Sequence, residues 1–150
     1  MHSVPRLATP ADRPAIESIV RDAYSPYIGR IGRPPGPMSD DYAMLIGDGR
    51  VYVVDEAGAI VGLVVLVPEP DAMLLHNVAV APAARGTGVG RSLLEYAERS
   101  ARAAGYRAIR LYTHEMMTEN LALYRRIGYA ETHRAEEMGL KRVFMVKPLT

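Results

Sequence analysis

The stretch that most constrains this chain runs from Leu74 to Leu94, LLHNVAVAPAARGTGVGRSLL. An apolar, strand-like run ends at Val80 and turns at Pro82. It enters a loop of Arg85, Gly86, Thr87, Gly88, Val89, Gly90 and Arg91, then continues as an amphipathic helix. A helix that begins in a glycine-rich loop points unpaired backbone N–H groups and the positive end of its dipole at whatever lies in front of it. Alternating glycines let those amides converge into an anion-binding nest. The guest that suits such a nest is a phosphate or a pyrophosphate.

Two familiar nucleotide templates do not fit. A Walker loop needs glycine five residues before the glycine that precedes Lys-Ser/Thr, but Arg85 holds the first place and Arg91 stands for the lysine. The dinucleotide pattern G-x-G-x-x-G meets Arg91 when counted from Gly86 and Leu93 when counted from Gly88. The pattern that does fit is Arg/Gln-x-x-Gly-x-Gly/Ala, on Arg85, Gly88 and Gly90, placed after a strand and Val-x-Pro and before a helix. In this the chain resembles the GNAT superfamily of acetyl-CoA-dependent N-acyltransferases.

Composition bounds the alternatives. With 150 residues, the chain is expected to form one domain spanning residues 1–150, large enough to bury a core without covalent staples. It has no cysteine, so disulfides, thiolate metal sites and cysteine nucleophiles are excluded, and no metal is expected. The formal net charge is +1 and the basic residues are dispersed, so neither a nucleic acid nor a membrane is called for as a partner. No apolar run approaches the roughly 20 residues of a membrane span. Residues 1–14 lack the apolar core of a signal peptide, and the expected location is cytoplasmic.

Along the chain, Ser3–Leu7 reads as a short edge strand. Thr9, Pro10 and Asp12 are a helix start, and Ile16, Ile19, Val20 and Ala23 give the helix an inward face. Residues 24–37, rich in proline and glycine, are predicted to be a loop. A short helix is predicted over Asp40–Ile46, capped by Ser39 or Asp40. Arg50–Asp55 and Ile60–Val67 read as a hairpin, with Met73–Val80 as the next strand. The helix after Gly88 buries Val89, Leu93, Ala97 and Ala101, and Gly105 stops it. Arg107–Thr113 is a strand parallel to Met73–Val80, because a helix separates them. A helix carrying Leu121, Tyr124 and Ile127 follows, then strands at Tyr129–Arg134 and Val143–Lys147 joined by a polar, Glu-rich connection. The expected fold is a mixed α/β sheet of about seven strands, antiparallel at first and parallel at its centre, with about four helices.

The resemblance implies a chemistry for these places. The parallel strands would splay beyond their carboxyl ends and admit the pantetheine arm of acetyl-CoA, which would pair with the backbone of Val78, Ala79 and Val80. The amides of Gly86, Gly88, Val89 and Gly90 would hold the pyrophosphate, with Thr87 in the same loop and Arg85 or Arg91 adding charge. Residues 120–129 (NLALYRRIGY) resemble the family's second conserved region, with Tyr129 where phenylalanine is commoner. Asn120 would contact CoA, and Tyr124 would be the general acid that protonates the departing thiolate. A backbone N–H near Val80 would hold the developing oxyanion.

Many relatives carry a glutamate base in the central strand, where this chain has Leu74, Leu75, His76 and Asn77. His76 is the candidate base by chemistry, since an imidazole ordinarily titrates near 6.5, and His114 is its rival. The acceptor pocket is expected to be lined by Tyr24, Tyr27, Met38 and Tyr42, together with Met116 and Met117. The implied reaction is transfer of an acetyl group to a small primary amine or an exposed protein amine by direct attack. The competing readings are a non-catalytic acyl-CoA sensor of the same fold and an enzyme using a longer acyl donor. A homodimer is compatible with the resemblance, although no stretch specifies its interface.

Overall fold

The computed structural model describes residues 3–149. The chain opens with β1 (Arg6–Leu7), which pairs antiparallel with Val53 and Tyr52. Asp12 then closes the first helical turn, accepting from the Thr9 amide at 2.8 Å and from Arg6 Nη1 at 2.9 Å. The Arg6 hydrogen bond holds the Asp12 carboxyl down at about 2. α1 (Arg13–Tyr24) follows and buries Ile16, Ile19, Val20 and Tyr24, one turn apart on a single face.

The loop predicted over residues 24–37 is only partly a loop. The chain continues through a 3-10 turn at Ser25–Tyr27 into α2 (Ile28–Ile31), and irregular structure begins at Gly32. Pro26 does not break the helical path because it lies in the first turn of that 3-10 segment, where an N–H has no intrahelical acceptor to lose. The short helix also starts later than predicted: α3 is Tyr42–Gly47, and Asp41 caps it by accepting from the Met44 amide at 3.1 Å. Asp40 precedes the cap in extended conformation, which leaves its carboxylate for another partner.

β2 (Val51–Glu56), β3 (Ala59–Pro68) and β4 (Met73–Val80) form an antiparallel meander. α4 (Val89–Ala103) crosses to β5 (Ala108–His114), α5 (Thr118–Arg126) follows, and β6 (Ala130–Glu137) and β7 (Leu140–Pro148) close the sheet. The strand order is β1-β2-β3-β4-β5-β7-β6, and β4 with β5 is its parallel pair. The Glu-rich segment predicted as a connection is mostly strand. β6 runs to Glu137, and the true turn is Met138–Gly139, both in left-handed conformation at φ 51° and 77°. Every residue of β6 is exposed, so the strand carries no buried alternation by which sequence could reveal it.

Two cores flank the sheet. Val64, Leu66, Leu93, Ile109 and Tyr124 belong to the core under α4 and α5, whereas Ile16, Val20, Val53, Leu63 and Val65 belong to the one under α1 and α3. α4 sits directly on β3 because Gly62 has no side chain: a Cβ there would lie 2.8 Å from Val89 and 2.9 Å from Leu93. That contact sets the height of the glycine loop above the sheet. Among the described residues, no helix is long and apolar enough to cross a membrane.

The feature that makes a site is where β4 and β5 part. Their register runs Met73–Ile109, Leu74–Arg110 and Leu75–Leu111, then stops. β3 stays with β4 as far as Val80, but its register slips so that Val65 faces Asn77 and Leu66 faces Leu75, leaving His76 unpaired in a bulge. The sheet therefore opens as a V whose apex lies at Leu75 and Leu111.

Candidate active site

Two cavities meet in this V. The first follows the opening toward the glycine loop, walled by Val78 and Val80 on one side, Gly90 and Arg91 above, and Asn120 and Tyr124 on the other. Ala81 donates to Val61 O at 2.9 Å, so by strand alternation Ala79 also turns its peptide groups to β3. Val78 and Val80 therefore turn theirs to the gap. Ala79 lines the same cavity between them, with its peptide groups turned to β3.

At the loop, Gly88 is the helix N-cap at φ 92°, a conformation that L side chains rarely adopt. The amides of Gly88, Val89, Gly90 and Arg91 have no intrahelical acceptor, and Ser92 is the first to find one, Gly88 O at 3.0 Å. Thr87 is turned inward instead, its hydroxyl donating to Ala84 O at 2.5 Å. A Cβ on Gly90 would stand 3.4 Å from Val80 Cγ2, so a larger residue would crowd the passage between loop and strand. Free amides at one end and a strand edge with no strand partner at the other, where among the described residues Val78 O accepts only from the Tyr24 hydroxyl at 3.2 Å, fit an anionic ligand with an extended, amide-bearing arm. Arg85, Arg91, Arg126 and Lys147 border this cavity, with Lys147 paired to Glu98 at 3.0 Å.

The second cavity lies across the apex, against His76, Tyr112, His114, Leu140 and Arg142, and widens outward past Arg33 and Asp40. His76 Nε2 is 2.8 Å from Asp40 Oδ2, and its Nδ1 is 3.3 Å from the Tyr112 hydroxyl. The carboxylate can only accept, so Nε2 carries a proton, and in the neutral ring the lone pair lies on Nδ1. Beneath them, buried Asn77 accepts from the Tyr24 hydroxyl at 2.5 Å and donates to the Tyr42 hydroxyl at 2.9 Å; Tyr42 in turn donates to Pro37 O at 2.6 Å. This network ties α1, the proline loop and α3 to the bulge.

Tyr124 stands where the cavities join and lines both. It is 7 % exposed, and its ring packs edge-on against Tyr129 at 5.7 Å. Burial pushes its phenol up to about 12, and its hydroxyl has no hydrogen-bond partner among the described residues. The phenol therefore stays neutral and is a weaker acid than an exposed tyrosine, and its role at the junction rests on the placement of its hydroxyl.

The remaining predicted residues divide clearly. Tyr24 lines both cavities, and Asn120 does the same from the first turns of α5. Tyr27 borders the first cavity, where its hydroxyl donates to Glu119 at 3.1 Å. Tyr42 and Met38, expected to line the acceptor pocket, line none of these cavities: Tyr42 is 3 % exposed with its hydroxyl spent in the network, and Met38 packs against the core under α1. His114 Nδ1 accepts from the Met116 amide at 3.1 Å, and burial lowers its tendency to protonate. Sequence reasoning missed Asp40, Asn77, Tyr112 and Arg142 as site residues. A charged or amide side chain amid the apolar alternation of a strand, as at Asn77 and Arg142, is a signal that could have found two of them.

The sequence pattern of the acetyltransferase (GNAT) domain matches residues 47–131. The chain is 35 % identical over 106 residues to IAA acetyltransferase of Azospirillum brasilense, covering 68 % of this chain and 69 % of that protein. It is 41 % identical over 86 residues to mycothiol acetyltransferase of Jonesia denitrificans, but that match spans 56 % of this chain and only 27 % of the relative's length. In fold it resembles the ribosomal-protein-S18-alanine N-acetyltransferase of Escherichia coli, at a TM-score of 0.78 and 20 % identity, covering 100 % of this chain and 95 % of that one.

Proposed function

The chain belongs to the acetyltransferase (GNAT) family, and we propose that it transfers an acetyl group from acetyl-CoA to a free amine, on a small molecule or exposed on a protein, by direct attack within a ternary complex. Acetyl-CoA supplies the thioester. The amides of Gly88, Val89, Gly90 and Arg91 would hold its pyrophosphate, and the edges of Val78 and Val80 would hold its arm. With both ends held, the reacting carbon is brought to the junction of the two cavities.

There the chain's own groups divide the work. The N–H of Val80 faces the gap and is the donor for charge developing on the carbonyl oxygen. His76, fixed by Asp40 with its lone pair on Nδ1, takes the proton that the amine sheds, directly or through the Tyr112 hydroxyl. Tyr124, whose hydroxyl stands at the junction, is the donor placed to protonate the departing thiolate. No side chain bonds covalently to the acyl group, so the amine nitrogen gains the acyl carbon as the C–S bond breaks.

The observation that carries this reading is the unpartnered Tyr124 hydroxyl at the one place shared by the two cavities. The test is incubation with acetyl-CoA and a panel of amines, reading free thiol and the mass of the acylated amine together. Thiol release that depends on the amine, matched by product, is expected. CoA binding with no release for any amine would instead identify a sensor.

A further inference from the structure

The acceptor cleft is charged in an ordered way. Its inner end holds the Asp40–His76 pair, and its outer end holds two arginines, Arg142 and Arg33. Arg142 is inserted into the wall: its side chain is 13 % exposed, and its guanidinium lies 4.4 Å from the centre of the Tyr112 ring. One nitrogen, Nη1, donates to exposed Glu137 at 2.9 Å, and the other guanidinium N–H groups have no acceptor among the described residues. Its Nη2 would be 3.4 Å from a Cβ on Gly36, so the proline loop crosses against it.

Arg33 reaches the same mouth from the opposite side. Its guanidinium lies over Gly139, in space that a side chain on the β6–β7 turn would fill. No ion pair or hydrogen bond engages it among the described residues. Arg33 is thus an unpaired cation at the mouth, and Arg142 keeps guanidinium N–H groups beyond its one ion pair with Glu137, while Asp40 is engaged by His76. A second ammonium on the acceptor would meet repulsion there, whereas a planar anion would find the two-pronged donor that arginine offers.

Between the two ends the walls are apolar, built from Pro37, Tyr112, Met138 and Leu140. We propose that the acceptor is a small amine bearing a carboxylate, its amine beside His76 and its carboxylate on Arg142, with Arg33 at the mouth. This rests on the acetyl-transfer reading above, narrows it from amines in general to amino-acid-like acceptors, and makes Arg142 the specificity determinant.

Matched acceptors test it: leucine against leucinamide and 3-methylbutylamine, and phenylalanine against phenylalaninamide and phenethylamine. The free acids are expected to exceed their neutral partners by about tenfold or more in kcat/KM, the amides controlling for size. Arg142→Gln is expected to bring that ratio close to one through the acceptor KM, leaving the KM for acetyl-CoA unchanged. Arg142→Lys, which keeps the charge and much of the packing, should preserve part of the preference, and Arg33→Gln should lower it less than Arg142→Gln. Amides or amines that match the acids with the unaltered protein, or a ratio unmoved in Arg142→Gln, would overturn the proposal. The same ranking is read as binding by calorimetry, with and without CoA, so it stands or falls even if turnover is absent. Failure of the acetyl-transfer reading would show separately, as no thiol release with any compound.

Discussion

Asp40 Oδ2 and His76 Nε2 are 2.8 Å apart, joining the end of the proline loop to the bulge in β4. The pair fixes the ring from one side while the Tyr112 hydroxyl meets Nδ1 from the other. Replacing His76 by Gln is expected to lower kcat about a hundredfold, the usual worth of a positioned base. Asp40→Asn should cost less, about tenfold, because an amide no longer dictates which ring nitrogen keeps the proton. Between the two histidines the loss should be confined to His76→Gln, with His114→Gln nearly unchanged. Unchanged kcat in both would remove histidine from the proton path.

Gly62 links packing to ligand binding. An alanine methyl there would press on Val89 and Leu93 at 2.8 and 2.9 Å and on Ala79 O at 3.3 Å, so α4 must lift from β3. Overpacking of this kind costs about 1–3 kcal/mol. Because Val89 opens the helix whose amides face the groove, Gly62→Ala is expected to raise the KM for acetyl-CoA while leaving that of the amine nearly unchanged. Urea melts and the two KM values check both parts.

Tyr129 carries a buried hydroxyl that has no partner among the described residues. A stranded donor loses its bonds to water without replacement, so its removal should not destabilise the fold. Tyr129→Phe is expected to be neutral or to stabilise by up to about 1 kcal/mol, with the edge-on packing against Tyr124 retained. A clear loss of stability in denaturant would reveal a role for that hydroxyl.

Much of the donor side was legible in the sequence, and little of the acceptor side. Gly88 favours glycine because its φ is 92°, and Gly90 sits in close contact with Val80, where a short side chain is tolerated; both constraints are local and leave a pattern. The parallel placement of β4 and β5 follows from the helix between them. The Asp40–His76 and Arg142–Tyr112 contacts instead join elements that meet only after the sheet has formed, and Asp40 reads equally well as a helix cap. Tyr42 misleads for a similar reason: an aromatic residue beside a pocket can support its wall as readily as line it.

Alkali should destabilise the protein in a defined window. Burial raises the phenols of Tyr24, Tyr42, Tyr124 and Tyr129, Tyr124 to about 12. The unfolded chain releases these protons near pH 10, whereas the folded chain keeps them, so the unfolded state gains on the folded one as pH rises. Stability is therefore full below about pH 10 and falls from there toward about pH 12, by up to about 1.4 kcal/mol per pH unit for each tyrosine. Urea midpoints measured across that interval should drop steeply, with little change between about pH 7 and 9.

The most direct test of the account is Tyr124→Phe, which removes one oxygen from the junction of the two cavities and leaves the ring in place. With an accepted amine, kcat is expected to fall about a hundredfold or more, as for loss of a general acid, while the Kd for CoA stays within about twofold of the unaltered protein. A variant that keeps the original kcat would contradict the central claim that Tyr124 releases the thiolate.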